Sequence, residues 1–288
     1  MQVMSLDTAC PLTVSPSYAC AWVCDSHFHV FNARESVAGS RYVPDYAASL
    51  ADWESQSSPL DVTRGVVVQP SFLGADNRLL LATLAQHPHR LRGVAVVSES
   101  ATETELRSLH ARGVSGVRLN LTGATDDVRV IRELPATWWS ALIAVGLHLE
   151  LHSDIGRIGA LLPLVPNDVT VVLDHFGKPS EASLADETVR AVSARQNMGW
   201  ETYITLSGAY RQRATDRQSQ QNRSVELAAL WLEVVGRDHL LWGSDWPCTN
   251  YETEAHFTVL RTTLNDWLPN DSDQQAALCH NPHRLYWR

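Results

Sequence analysis

Eight short runs rich in β-branched residues recur from one end of this chain to the other, and that rhythm restricts the fold more than any other feature. They are 21–25 (AWVCD), 65–69 (GVVVQ), 91–97 (LRGVAVV), 116–121 (GVRLNL), 147–152 (LHLELH), 169–176 (VTVVLDHF), 202–207 (TYITLS) and 239–246 (HLLWGSDW). Most are apolar on both faces, as strands of a buried parallel sheet must be. Longer stretches with helical periodicity lie between them. Residues 76–87 open on Asp76 as an N-cap and stop at Pro88, and 102–112 carry a Thr102/Glu105 capping box and stop at Gly113. Helices are also expected over 134–145, 154–164, 184–198, 224–235 and 252–264, whereas the polar run 212–223 (QRATDRQSQQNR) reads as a loop. The expected fold is α/β: a single (β/α)₈ barrel over residues 21–288, with 1–20 as an extension. An open doubly wound sheet is the alternative, but no GxGxxG follows the first strand.

A chain of 288 residues is long enough to bury roughly 75% of its unfolded surface without disulfides or a structural metal. Its 23 basic and 32 acidic residues leave a formal charge of −9, without the basic footprint of a nucleic-acid or anionic-membrane binder. An anionic ligand would therefore need a local cationic pocket. The five cysteines are widely spread and form no CxxC knuckle or disulfide framework. Residues 1–20 carry no basic residue and two prolines, unlike a signal peptide, and no stretch approaches about 18 uninterrupted apolar residues. A cytoplasmic protein is expected.

In a parallel barrel the chemistry sits at the C-terminal ends of the strands, and polar residues crowd there. The first strand ends in Asp25-Ser-His27-Phe-His29, whose alternation puts both histidines on one face. The second ends in Gln69-Pro-Ser71, the fourth carries Arg118 and Asn120, and the fifth offers His148, Glu150 and His152 at one parity. The sixth ends in Asp174-His175, the seventh in Ser207-Gly-Ala-Tyr210-Arg211, and the eighth in Ser244-Asp245-Trp246-Pro247. An HxH pair occurs often by chance, and an Asp at a strand end can be a helix cap. Arg118 in an apolar strand is different: a buried guanidinium needs an acidic partner or an anionic ligand. The co-occurrence at successive strand ends makes a constellation of what would singly be weak signals.

DSHFHVF, RYVPDYAA, VVVQPSFLGADN, GVSGVRLNL, LDHFGKP, WGSDWP and NPHRLYW together resemble the amidohydrolase-related barrel hydrolases, with the greatest similarity to the 2-pyrone-4,6-dicarboxylate hydrolases, which are lactonases. The resemblance runs from about residue 21 to the end of the chain. It implies a barrel that hydrolyses a lactone ester without a divalent metal, with His27, His29, His175 and Asp245 as the catalytic set. It implies substrate contacts from Tyr42, Ser71, Arg118, Arg211 and Asn250; Glu150, His152 and Tyr210 complete the expected binding residues. In that reading Asp245 takes a proton from water, the imidazoles polarise the carbonyl and the arginines clamp an acidic lactone. The chain departs from the pattern in three places. Leu121-Thr-Gly-Ala124 lacks a further arginine, Lys178 replaces an arginine, and Glu150 occupies a tyrosine position. These changes open the way to a sugar-acid or muconolactone-type substrate. The alternatives are a zinc- or manganese-dependent hydrolase or decarboxylase liganded by His27, His29, His175 and Asp245, and a barrel that binds a sugar acid without turnover.

Overall fold

The computed structural model describes residues 22–212 and 214–288; the expected extension over 1–20 lies outside them. Eight parallel strands pair in sequence order: β1 Val23–Phe28, β2 Val62–Val68, β3 Leu91–Ala95, β4 Val114–Asn120, β5 His148–His152, β6 Val171–Leu173, β7 Thr202–Leu206 and β8 Leu240–Trp242. The ring closes where β1 meets the segment after β8. Phe28 bridges Trp246, the His29 amide donates to the Trp246 carbonyl at 2.8 Å, and the Asp245 amide donates to the His27 carbonyl at 2.8 Å. The fold is a (β/α)₈ barrel.

Asp25 reinforces this seam. Its buried carboxylate accepts from the Ser244 amide (2.8 Å) and hydroxyl (2.6 Å) and from the Trp53 indole (3.0 Å). The acid that opens the DSHFH segment therefore ties the first strand to the last and holds the two histidines that follow it.

The helices are α1 Leu50–Ser57, α2 Arg78–Gln86, α3 Glu103–Ala111, α4 Asp127–Glu133, α5 Ala136–Val145, α6 Ile158–Leu161, α7 Glu187–Asn197, α8 Arg217–Val235, α9 Phe257–Trp267, α10 Asp271–Gln275 and α11 Asn281–Tyr286. Their apolar faces pack on the outside of the barrel, in a core that includes Trp53, Trp138 and Trp231. Among the described residues no helix is long and apolar enough to cross a membrane. Two expectations are corrected. Helix α1 lies between the first two strands, where none was expected; its Ser49/Asp52 box uses the shorter acid. The run 212–223 is not all loop, because Asp216 caps α8 through the Ser219 amide and the following polar residues form its exposed first turns.

Inside the barrel the side chains stand in layers. Gly116 pairs with His148, Arg118 with Glu150, and Asn120 with His152 along β4 and β5. A Cβ on Gly116 would collide with the His148 ring, so the glycine makes the space that this buried imidazole fills. Below lies an apolar plug that includes Cys24, Val66, Val94, Tyr203 and Leu241. The Arg118–Glu150 and Asn120–His152 layers lie toward the C-terminal ends of their strands, whereas His148 opens β5.

Candidate active site

A cavity of about 660 Å³ opens at the C-terminal mouth. Of the residues expected from sequence, His29, Tyr42, Ser71, Arg118, His152, His175, Arg211, Asp245 and Asn250 line it. His27, Glu150 and Tyr210 do not. His27 is wholly buried beneath the floor, Glu150 stands one layer below His152, and Tyr210 sits behind Asp245. A direct substrate contact from Glu150 or Tyr210 therefore has no support in this geometry. The wall also contains Arg41, Asn120 and Thr122, which sequence reasoning left without a role.

Asp245 is the hub. Its Oδ2 accepts from the Tyr210 hydroxyl at 2.6 Å and from Arg211 Nε at 2.7 Å. Its Oδ1 has no hydrogen-bond partner and faces His29 Nε2 at 3.4 Å and His27 Nε2 at 3.8 Å. His175 Nε2 lies 3.8 Å from Oδ2. Burial alone would raise the pKa of Asp245, but Arg211 and the surrounding histidines outweigh it and hold the carboxyl well below the usual range. It is ionised at neutral pH, with one oxygen saturated and one open.

The histidines are oriented from behind. His29 Nδ1 donates to the Val68 carbonyl at 2.7 Å, which can only accept. Its Nε2 is therefore a lone-pair acceptor when the ring is neutral. His175 Nδ1 meets the Ser207 hydroxyl at 2.9 Å, and its ring packs edge-on to His152 at 4.7 Å. Lys178 reaches His152 Nε2 at 3.4 Å, leaving Nδ1 to face Asp174 Oδ2, also at 3.4 Å.

Beneath this layer is a charge cluster. Arg118 bonds Asp174 Oδ2 through Nη2 (2.7 Å) and Nε (3.1 Å) and lies 3.2 Å from Glu150. His27 Nδ1 is 3.5 Å from Asp174 and 3.6 Å from Glu150. Sequence reasoning asked for an acidic partner or a ligand for Arg118, and the structure supplies the acid. Burial opposes the charge of Asp174, but Arg118 and His27 hold it ionised; burial and the Asp174 charge push Glu150 well above its ordinary value.

Backbone strain is concentrated in the same place. His175, Phe176, Lys178, Asp245, Cys248 and Asn250 all have positive φ, six of the eight such non-glycine residues among those described. Left-handed conformations cost of order 1–3 kcal/mol each and persist where the surroundings over-determine them, often at functional sites. Here they fall in the segments after β6 and β8, which bring His175, Asp245 and Asn250 to the cavity wall.

These protonation states set an acid sensitivity. Burial lowers His27 and His148 to about 3 and His152 to about 4, and lowers His175 well below its ordinary value; it raises Asp25 to about 6 and Glu150 higher than usual. Below pH 6.5 each histidine binds a proton in the unfolded chain before the folded one, which favours unfolding. Asp25 and Glu150 act in the opposite sense, holding protons in the folded state. The depressed Asp174 and Asp245 contribute stability that is lost only as pH falls below the ordinary carboxylate range. Four histidines outweigh two carboxyls, so chelator-treated protein is expected to lose stability from about pH 6 to 4, by about 1.4 kcal/mol per unit for each net proton. Urea midpoints across that range check this; midpoints that hold or rise contradict it.

His29, His175 and Asp245, with His27 beneath them, converge at the C-terminal face of the barrel, the face on which barrel enzymes carry their chemistry. The sequence pattern of the amidohydrolase family matches residues 24–288, and the chain belongs to that family. It is 30% identical to 2-pyrone-4,6-dicarboxylate hydrolase of Comamonas testosteroni over 91% of this chain and 89% of the relative. It is 28% identical to 4-sulfomuconolactone hydrolase of Rhizobium radiobacter, over 92% and 89% of the two chains. The crystal structure of a probable 2-pyrone-4,6-dicarboxylic acid hydrolase from Acinetobacter baumannii, with citric acid bound, superposes with a TM-score of 0.82 at 32% identity, covering 92% of this chain and 99% of that one.

Proposed function

We propose that this protein hydrolyses the ester bond of a small acidic lactone at the barrel mouth. The observation that carries the reading is Asp245: ionised, fixed through Oδ2 by Tyr210 and Arg211, and unpaired at Oδ1, which faces His29 of the cavity wall and His27 beneath it. Oδ1 takes a proton from water as the water oxygen attacks the lactone carbonyl. The carbonyl oxygen gains negative charge, and imidazole N–H groups stabilise it. His175 can donate from Nε2 while Nδ1 accepts from Ser207; His29 can do so only as an imidazolium, because its Nδ1–H is committed to Val68. His27, buried directly beneath, faces Asp245 Oδ1 from Nε2 at 3.8 Å and backs the carboxylate rather than reaching the substrate. When the tetrahedral adduct collapses, the ring C–O bond breaks and the proton on Asp245 passes to the departing oxygen. Tyr42, Ser71 and Asn250 on the wall, with Arg118 and Arg211, would orient the ring.

The same donors fit a divalent ion. Ligand atoms of His27, His175 and Asp245 lie within 4.8 Å of one another, and His27 and Asp245 Oδ1 are otherwise unpaired, so these residues would hold zinc or manganese. Such an ion would supply Lewis-acid polarisation of the carbonyl and a more acidic water.

The test is acid release from pyrone, muconolactone and sugar-acid lactones in H₂¹⁸O, with and without chelator. Turnover of at least one acidic lactone is expected. Hydrolysis abolished by chelator and restored by zinc or manganese would assign the carbonyl to the ion; binding without turnover on every lactone would remove the enzymatic reading.

A further inference from the structure

Three guanidinium groups line the cavity among the described residues: Arg41, Arg118 and Arg211. Two are matched inside the protein, Arg118 by Asp174 at 2.7 Å and Arg211 by Asp245 at 2.7 Å. Arg41 has no ion-pair or hydrogen-bond partner among the described residues. It comes from the β1–α1 loop and crosses to the β4–α4 loop, where its guanidinium rests on Gly123. A Cβ on that glycine would overlap Arg41 Nη1 and lie 3.4 Å from Cζ, and Gly123 has φ +71°. The loop is pinned by the Gly123 amide donating to Asp154 Oδ2 at 2.8 Å. Next to this seat, Thr122 lines the cavity, and its hydroxyl is shielded from solvent with no hydrogen-bond partner.

An unpaired fork of donors and an unsatisfied hydroxyl flank the same glycine on the same cavity wall. A carboxylate placed there would take two parallel N–H bonds from Arg41. On a chain with net charge −9, such a group would meet its local cation at this point. We infer that Arg41, seated on Gly123 beside Thr122, is the specificity-determining clamp for a second carboxylate on the lactone, remote from the scissile carbonyl. The inference rests on the proposed lactone hydrolysis and narrows its substrate class to lactones with two anionic groups.

The test compares wild type, Arg41→Met, Arg41→Lys and Gly123→Ala on 2-pyrone-4,6-dicarboxylate and on the 4- and 6-monocarboxylates, with thermal melts to confirm folding. Arg41→Met is expected to lower kcat/KM on the diacid by about 10–100-fold, the range of one charge-assisted hydrogen bond, mainly through KM. The loss should vanish on the monoacid that lacks the clamped group. Lysine, which keeps the charge without the fork, should recover part of it. Gly123→Ala, which displaces the guanidinium with Arg41 present, should reproduce the selective loss. An undiminished diacid rate, or equal losses on both monoacids, overturns the clamp. Calorimetric binding of the same three pyrones separates this from the parent reading. If wild type binds but turns over none, lactone hydrolysis of these pyrones fails, and the Arg41→Met affinity ratio still decides the clamp. If wild type binds none, the clamp is refuted.

Discussion

Asp245→Asn is expected to lower kcat/KM on the hydrolysed lactone by about 10²–10⁴-fold, the contribution of a positioned general base. The amide keeps the shape of the carboxylate. Its oxygen will turn toward Tyr210 and Arg211, whose donors hold Oδ2 at 2.6 and 2.7 Å, so the NH₂ faces His29 and His27 where the open oxygen stood. That group cannot take a proton from water. Steady-state kinetics on wild type and variant, with melting curves to show that both are folded, measure the effect. If Asp245 served only to anchor Arg211, asparagine would still accept the Arg211 bond and activity would stay within a few-fold of wild type.

Arg118→Met is expected to cost about 3–5 kcal/mol of folding stability, the usual consequence of stripping one partner from a buried ion pair. Asp174 is buried and fully enclosed by the cluster, and Arg118 supplies both of its close cationic bonds. With the guanidinium gone, the carboxylate must either stay charged without it or take up a proton, and both disturb His27 at 3.5 Å. Arg118→Met combined with Asp174→Asn should therefore recover part of the loss, since the unpaired charge has been removed with its partner. Urea unfolding of the single and double variants reads this directly. A single variant as stable as wild type, with raised KM, would instead make Arg118 a substrate ligand with no structural duty.

The barrel itself was legible because parallel strands buried on both faces leave apolar runs, and because each run ended in polar residues that an apolar core would not tolerate. His27, His29, His175 and Asp245 all fall at such ends, and the structure gathers them, with Asp25 at the seam behind. Depth was not legible. His148, Glu150 and His152 share one parity, yet only His152 reaches the cavity, because register with Gly116, Arg118 and Asn120 sets the layer of each. Parity fixes the face of a strand and says nothing about height within the barrel. Helix α1 was missed because eight residues closed by a serine–aspartate box give little periodicity to detect. Arg41 was missed for another reason. It sits beside Tyr42 in a loop without regular periodicity, and its position depends on a glycine more than eighty residues away in sequence.

Oxygen labelling tests the central claim most directly. Hydrolysis of the turned-over lactone in H₂¹⁸O, followed by mass spectrometry of the open product, reports which bond is broken and whether water enters. Attack on the lactone carbonyl by water that Asp245 deprotonates predicts one ¹⁸O in the newly formed carboxylate and none in the released hydroxyl, in wild type but not measurably in Asp245→Asn over the same interval. Label in the hydroxyl would mean cleavage at the other C–O bond. A rearranged lactone carrying no label would mean that the site isomerises its substrate; either result would contradict this account of the chemistry.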